Sequence, residues 1–143
     1  MYNNIICGEN INIRLIEKSD LDFIYNFYDK YDKYVFAFGI NKGKVFRDMT
    51  NFIALREKYN KFQGNIFHMI ILARNTRIGI IKFSIIRKNK LKAWINFFAL
   101  DEQFQNKNFG TNSLNLLEKF FKKINIDLIY ISVIENNKLG YNF

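Results

Sequence analysis

The sequence has no proline and only one cysteine, Cys7, among its 143 residues. A single thiol cannot form an intrachain disulfide, and no cluster of cysteine and histidine offers the ligands of a zinc site. Long apolar runs are also missing, because a charge or an asparagine interrupts each one well before the ~20 residues that a membrane-spanning helix needs. These absences exclude a disulfide-stapled fold and predict a cytoplasmic protein with no metal ion and no membrane partner.

Hydrophobic residues, by contrast, make up 49% of the chain. A chain of this length and composition can bury a sizeable core, and no repeat, linker or low-complexity tract divides it. We therefore expect one domain over residues 1–143.

The net charge of +9 is distributed unevenly along the chain. Residues 1–60 hold 9 Lys and Arg against 8 Asp and Glu, a net +1, whereas residues 61–143 hold 13 against 5, a net +8. Such an excess suits a polyanionic ligand. Lysine outnumbers arginine 16 to 6, however, and arginine is the residue preferred for bidentate phosphate and base contacts, so nucleic acid is not the favoured partner.

The first half predicts one strand and two helices. Residues 10–15 alternate apolar and polar side chains, as a half-buried strand does. Ser19 is the predicted cap of a first helix, and 31–44 is a glycine-containing loop. A second helix is predicted over about 46–62. The apolar positions expected to face inward are Leu21, Ile24, Phe27 and Tyr28 in the first helix and Phe52, Leu55, Tyr59 and Phe62 in the second.

The second half predicts three strands, a helix and a final strand. The strands 66–73, 78–86 and 91–100 are joined by short polar links, which predicts an antiparallel meander. The next helix has Leu114, Leu117, Phe120, Phe121 and Ile124 on its inner face. The last strand, 128–134, follows that helix, and a strand–helix–strand unit favours a parallel neighbour.

Residues 105–111, Gln-Asn-Lys-Asn-Phe-Gly-Thr, lie between a strand and the start of this helix. Such a junction directs backbone N–H groups and the positive end of a helix dipole at one spot, which favours phosphate oxygens. Lys107 adds a cation, and Gly110 lets the backbone approach a ligand closely.

The spacing Gln105-x-x-Asn108-x-Gly110 resembles the Gln/Arg-x-x-Gly-x-Gly/Ala signature of the GNAT family of acyl-CoA-dependent N-acetyltransferases, with Asn108 where the family most often has glycine. The element order β-α-α-β-β-β-α-β matches that family over nearly the whole chain. The resemblance implies an α/β (α+β) fold in which helices flank a mixed central sheet with an antiparallel meander.

The resemblance also implies the cofactor-binding residues for acetyl-CoA, the acyl-donor cosubstrate. The strand before the turn would pair with the pantetheine arm through its backbone, and the turn would hold the pyrophosphate. The residues that carry over are Phe98, Ala99 and Leu100 from the strand, and Gln105, Asn106, Lys107, Asn108, Phe109, Gly110 and Thr111 from the turn. Asn137 belongs to a second matching stretch, Val133-x-x-x-Asn137-x-x-Gly140.

No residue declares itself as the catalytic acid or base. The tyrosine that commonly protonates the departing thiolate in this family would fall at position 144, and Tyr141 reads more simply as a helix aromatic. Strand 91–100 contains no carboxylate, Glu102 reads as a loop charge that could act through water, and His68 reads as a structural histidine. Holding an amine near a polarised thioester can supply much of the rate without them.

The predicted function is transfer of an acetyl group to an amine: a small molecule, an amino sugar or a protein N-terminus. The aromatic residues of the first helices and their loop could line the acceptor site or pack the core; they are Tyr25, Tyr28, Tyr31, Tyr34, Phe36 and Phe38. Two alternatives stay open, an RNA-linked acceptor such as aminoacyl-tRNA and a catalytically silent CoA-binding or interaction module.

The register of the last motif predicts a C-terminally incomplete acetyltransferase domain. The strands that normally follow the last helix in this family would be missing, which leaves the apolar strand 128–134 at an edge. An apolar edge without charge or proline favours association, so a homodimer through this strand is expected.

Overall fold

The computed structural model describes residues 5–31, 41–59 and 64–131, and its backbone separates into two compact units. The first unit consists of residues 1–15 and 65–143, and the second of residues 16–64. The first contains every described strand together with the helix that follows the 105–111 turn. The second contains the two earlier helices.

The first unit is built on a six-stranded sheet in the order β1-β2-β3-β4-β5-β6. Every neighbouring pair is antiparallel except β5 and β6, which run parallel. The strands are β1 (Ile5–Cys7), β2 (Ile11–Leu15), β3 (Ile66–Ala73), β4 (Thr76–Lys88), β5 (Lys90–Leu100) and β6 (Leu128–Ile131). The predicted meander and the parallel last strand are therefore confirmed, and the described part of that strand ends at Ile131.

Asparagines and an arginine in the left-handed region make the tight connections of the meander possible. Arg74 and Asn75, with φ of 47° and 68°, form the two-residue turn between β3 and β4. Two successive positive φ values give a turn whose twist matches that of the strands on either side. Asn89, with φ of 57°, links β4 to β5, so both strands extend further than their apolar runs suggested.

Helix α3 (Phe109–Lys123), the third helix of the chain, supplies core side chains to the first unit. Phe83 of β4 stacks on Phe67 at a centroid distance of 4.8 Å and meets the edge of Phe121 at 5.1 Å. Leu117 and Phe121 of α3 are fully buried. Leu114, Phe120 and Ile124 are only half-buried, because they lie beside the buried stripe of the helix. That stripe consists of Gly110, Ser113, Leu117 and Phe121.

The start of the sheet was incompletely predicted. Strand β1 pairs with β2 from Ile5 opposite Arg14 to Cys7 opposite Asn12. Three residues are too few to show the alternation by which a strand is recognised, so this element was missed. The predicted strand over 10–15 corresponds to β2.

The second unit contains helices α1 (Leu21–Lys30) and α2 (Lys42–Tyr59). The prediction that Ser19 caps α1 was wrong. A 3-10 turn, Lys18–Asp20, precedes the helix, and Glu17 and Asp20 cap it reciprocally, with the Glu17 N–H donating to Asp20 Oδ2 at 2.8 Å. Glu17 and Asp20, three residues apart, therefore form a capping box, and the Ser19 hydroxyl is not the cap. The Ser19 hydroxyl instead donates to Glu17 Oε1 at 3.0 Å.

The bounds and inner face of the second helix also differ from the prediction. Asn41 Oδ1 accepts from the Lys44 N–H at 3.0 Å and so caps α2 four residues earlier than predicted. The buried residues of α2 are Met49 and Ile53, whereas Leu55 is 56% exposed. Phe52, which was predicted to face inward, lies about 100° around the helix from Ile53. The helix therefore carries two apolar stripes with the same spacing, and periodicity alone cannot show which of them is buried. Phe62 lies outside the described residues.

Candidate functional site

The C-terminal end of β5 leads into the 105–111 turn. The described parallel pairing with β6 ends at Ile95 opposite Ile131, whereas pairing with β4 continues to Leu100 opposite Gly79. The register shifts between these two ends: Lys82 faces Phe97 and Phe83 faces Ile95, which leaves Asn96 as an extra residue in β5. A bulge of this kind increases the local twist of a strand and re-aims the residues beyond it.

The backbone groups of Ala99 and Leu100 point in opposite directions. The Asp101 N–H donates to the Ile78 carbonyl of β4 at 2.8 Å. Because successive residues of a strand alternate the direction of their backbone groups, Ala99 also faces β4 and Leu100 faces away from it. The Leu100 carbonyl accepts a hydrogen bond from Gln105 Nε2 at 2.9 Å. The Gln105 side chain therefore ties the turn to the strand end that was predicted to pair with pantetheine.

A chain of local hydrogen bonds shapes the turn itself. A 3-10 turn, Glu102–Phe104, follows β5, and Asp101 caps it by accepting from the Gln103 N–H at 3.3 Å. Phe104 then meets Phe109 edge to face with centroids 5.9 Å apart. Asp101 thus serves to hold the turn, a capping role that its position after a strand did not reveal.

Asn108 begins α3 in the left-handed region, with φ of 66° and ψ of 2°. Glycine adopts this conformation without strain, and asparagine is among the few other residues that tolerate it. The asparagine at the glycine position of the signature is therefore compatible with the same backbone. A left-handed residue followed by a helical one also makes successive N–H groups converge, which forms an anion-binding concavity.

The start of α3 keeps its N–H groups available to an anion. The first helical hydrogen bond runs from the Asn112 N–H to the Asn108 carbonyl at 2.9 Å, so the N–H groups of Phe109, Gly110 and Thr111 precede the helical ladder. The Asn108 side chain makes no capping hydrogen bond in the described structure. Gly110 is buried, and Lys107 and Thr111 are exposed. These residues fit a pyrophosphate because a helix start of this kind attracts negative charge.

Gly79 of β4 supports this site and was missed in the sequence. A Cβ atom at Gly79 would collide with the Ala99 carbonyl oxygen and would lie 2.7 Å from Leu100 Cδ2. The isolated glycine between two isoleucines was the available signal, since such a residue marks a close backbone approach.

The acid and base candidates remain unassigned. Glu102 is exposed in the 3-10 turn, and His68 is buried in β3 at the register position opposite Lys82. Tyr141 and the predicted cofactor contact Asn137 lie outside the described residues.

Within the ranges that the structure describes, no group of three His, Cys, Asp or Glu side chains could hold a metal ion. None of the helices in those ranges is both long and apolar enough to cross a membrane.

The second unit contains a pocket of about 300 Å³ between α1 and α2. Its lining includes Tyr25, Tyr28 and Phe46, and Tyr25 meets Phe46 edge to face with centroids 6.0 Å apart. Lys42 Nζ lies 3.5 Å from Asp29 Oδ1 along the same lining. Burial raises the pKa of the Tyr28 phenol well above its ordinary value, so this hydroxyl stays protonated. Of the six aromatics predicted around an acceptor, Tyr34, Phe36 and Phe38 lie outside the described residues.

Comparison with known proteins points to one family. The sequence model of the Acetyltransferase (GNAT) family matches residues 21–143. No curated protein matches the sequence significantly. Solved structures show the same fold at low sequence identity.

One is an acetyl transferase from Salmonella typhimurium that modifies the N-terminal serine of 50S ribosomal subunit protein L7/L12. It is 20% identical with a TM-score of 0.77, and the match covers 96% of this chain and 79% of that one. A ribosomal L7/L12 alpha-N-protein acetyltransferase in complex with coenzyme A is 19% identical with a TM-score of 0.71, covering 96% and 79% of the two chains. An aminoglycoside acetyltransferase from an uncultured soil metagenomic sample, in complex with sisomicin, is 16% identical with a TM-score of 0.64, covering 93% and 84%.

Proposed function

Because the chain belongs to the GNAT acetyltransferase family, we propose that it acetylates a primary amine, with the N-terminal amine of a protein as the first acceptor class to test. The family's acyl donor is acetyl-CoA, and a related structure holds coenzyme A. The choice of a protein N-terminus rests on the related structures whose names give ribosomal protein N-terminal acetylation as their activity. Small-molecule amines, including amino sugars, form the second class because another related structure is an aminoglycoside acetyltransferase.

The observation that carries the proposal is the start of α3 after Asn108. Three backbone N–H groups, those of Phe109, Gly110 and Thr111, precede the helical ladder and would hold the pyrophosphate. Lys107 would add a cation on the exposed side of the turn. The residues Gln105 and Asn106 would position that turn, Gln105 through its hydrogen bond to the Leu100 carbonyl and Asn106 through its φ of 58°.

The end of β5 would receive the pantetheine arm. Leu100, whose backbone faces away from β4, together with Phe98 two residues before it, would pair with amide groups of an extended ligand. Ala99, which faces β4, would set the position of this strand end, because its backbone approaches Gly79 closely. The thioester would then lie further back along β5, on the side away from the pyrophosphate.

Acetyl-CoA supplies a thioester carbonyl, and attack by the neutral amine forms the carbon–nitrogen bond as the carbon–sulfur bond breaks. The nitrogen loses one proton, and the departing thiolate takes up one proton to give the free thiol of CoA. The chain would contribute chiefly by alignment, since holding the two reactants together can account for a large part of the rate. Backbone N–H groups near the strand end would polarise the carbonyl. The catalytic acid and base stay unassigned. Glu102, which could act through water, is the first residue to test by substitution.

Calorimetry of acetyl-CoA binding tests the nucleotide side of the proposal. We expect Gly110→Glu to abolish binding because it adds bulk and negative charge where the phosphates would lie. Thr111→Glu should also weaken binding, because its carboxylate repels phosphate. It should leave the fold intact, since a carboxylate in the first turn of a helix stabilises the helix. Lys107→Ala should cost less, about 1 kcal/mol, because the backbone N–H groups remain.

The matched control is Asn115→Glu, which adds the same carboxylate at an exposed position of α3 beyond its first turn. It should bind acetyl-CoA as the unaltered chain does. Unchanged affinity in Thr111→Glu, with the melting temperature retained, would remove the turn from the binding site. The acceptor class is then tested by mass spectrometry of products from pooled peptides and pooled small amines, and binding without any acetylated product would indicate a silent CoA-binding module.

A further inference from the structure

One face of the sheet in the first unit combines exposed aromatic rings with lysines. The register places Lys88 of β4 opposite Lys90 of β5, Lys92 opposite Leu128 of β6, and Trp94 opposite Tyr130. Since side chains two residues apart share a face of the sheet, Lys90, Lys92 and Trp94 lie on one face with their partners. We call Lys88, Lys90, Lys92, Trp94 and Tyr130 the lysine–aromatic face.

The two rings of this face are accessible and adjacent. Trp94 is 40% exposed and Tyr130 is 42% exposed, with ring centroids 6.0 Å apart at an interplanar angle of 41°. Lys92 Nζ lies 5.9 Å from the Tyr130 centroid, so a cation already accompanies one ring. Large aromatic side chains are costly to leave exposed, and a pair of them rimmed by cations indicates a binding surface.

The charged side chains of β4 and β5 are all cations. From residue 66 to residue 100 the sequence contains seven cations, Arg74, Arg77, Lys82, Arg87, Lys88, Lys90 and Lys92, and no Asp or Glu. Lys88 and Lys90 lie with Arg87 at the exposed end of the β4–β5 hairpin. The nearest acid in sequence to β6 is Asp127. A surface of this kind complements a polyanion.

We propose that the lysine–aromatic face binds single-stranded RNA, with bases stacked on Trp94 and Tyr130 and phosphates paired with Lys88 and Lys90. An exposed sheet with aromatic rings is a common platform for unpaired bases, and a cationic rim follows the backbone. A duplex hides its bases from such rings, and an acidic peptide offers charge but nothing to stack. Asn96, whose Oδ1 accepts from Ser84 Oγ at 2.8 Å, has amide N–H groups of the kind that can donate to a base edge or a ribose 2′-hydroxyl.

This binding is separate from acetyl transfer. The residues involved are different from those of the acetyl-CoA turn, and the surface would act whether or not RNA carries the acceptor. Failure of either proposal therefore leaves the other intact. Net charge alone did not favour nucleic acid as a partner. The placement of the lysines beside two exposed rings, and not their number, is what supports RNA.

Fluorescence provides a direct test, because Trp94 is the only tryptophan of the chain. Titration of the full chain with oligouridine of about 12 nucleotides should quench the emission of Trp94, since bases stack on aromatic rings at single-strand sites. The same labelled RNA, followed by anisotropy, should lose affinity by about fivefold or more with Tyr130→Ala, the lower end of the range for one stacked base. The matched control is Tyr25→Ala, which removes an exposed ring of α1.

The ionic part is tested with a double substitution, Lys88→Ser with Lys90→Ser. Removing two phosphate contacts should lower the slope of log affinity against log salt by roughly 1.4, since each contact contributes about 0.7 for a single strand. Lys119→Ser, an exposed lysine of α3, is the control for loss of charge. Acetyl-CoA affinity, measured in parallel, should not change in any of these variants.

Three outcomes would overturn the proposal. One is the absence of quenching and of anisotropy change with RNA. A second is RNA binding that Tyr130→Ala and the double lysine variant leave unaltered, which would locate it elsewhere. The third is equal quenching by poly-glutamate or equal affinity for duplex RNA, which would assign the face to an acidic protein or to a helix-shaped polyanion.

Discussion

Replacing Gly79 by alanine tests how closely β4 supports the strand end of the acetyl-CoA site. The added methyl carbon would collide with the Ala99 carbonyl oxygen and would lie 2.7 Å from Leu100 Cδ2. Carbon atoms in contact normally lie about 3.5 Å apart or more, so the two strands would have to separate by roughly 1 Å here. Ala99 belongs to backbone paired across the sheet and cannot rotate away as a side-chain end can.

The expected cost is about 3 kcal/mol of unfolding free energy, the upper end for overpacking, because the obstructing atom is backbone. For a chain of this length that corresponds to a fall of about 10 °C in melting temperature. Urea unfolding measures the free energy of unfolding, and calorimetry measures whether the displaced strand end also lowers the affinity for acetyl-CoA. We expect both to fall.

Gly43→Ala in α2 is the matched control. Its added carbon would lie 3.4 Å from Asn41 Oδ1 and 3.8 Å from Arg47 Nη1, which are ordinary contacts. Alanine should therefore leave stability unchanged or raise it by up to about 1 kcal/mol through the smaller entropy of the unfolded chain. If Gly79→Ala unfolds at the same urea concentration as Gly43→Ala, the close approach of β4 to β5 is wrong.

Three further substitutions probe the turn and the second unit. Asn108→Gly should keep stability within about 0.5 kcal/mol, whereas Asn108→Val should lose about 1–2 kcal/mol because a β-branched residue resists a positive φ; equal urea midpoints would refute the left-handed start of α3. Burial raises the Tyr28 pKa, so the tyrosine is neutral in both states below its unfolded value of 10.0 and costs nothing there. Above that pH only the unfolded chain ionises, and the unfolding free energy should fall by up to about 1.4 kcal/mol per pH unit, a fall that Tyr28→Phe removes; equal alkaline losses in both proteins would contradict this. Asp29→Asn should raise the KM for a cationic amine by up to about fivefold with acetyl-CoA affinity unchanged, if the α1–α2 pocket holds the acceptor, whereas Asp48→Asn, which breaks a comparable surface pair with Lys44, should leave the KM unchanged; equal KM values would exclude the pocket.

The sequence alone predicted the family, the meander and the parallel last strand, because alternation and helical spacing are local properties of a chain. It also located the turn between β5 and α3, since a polar segment with Gly110 separates two apolar patterns. Errors fell where local patterns compete. Ser19 and Asp20 both offer caps, and α2 carries two apolar stripes of equal period.

The tertiary structure decided everything that depends on register. Whether Gly79 lies against Ala99, whether Asn96 forms the bulge, and whether Trp94 meets Tyr130 are set by pairings between segments far apart in sequence. A shift of one residue would turn each of these side chains to the opposite face of the sheet. The same residues then supply either a core or a surface, so composition could count the lysines of β4 and β5 but could not place them beside two exposed rings.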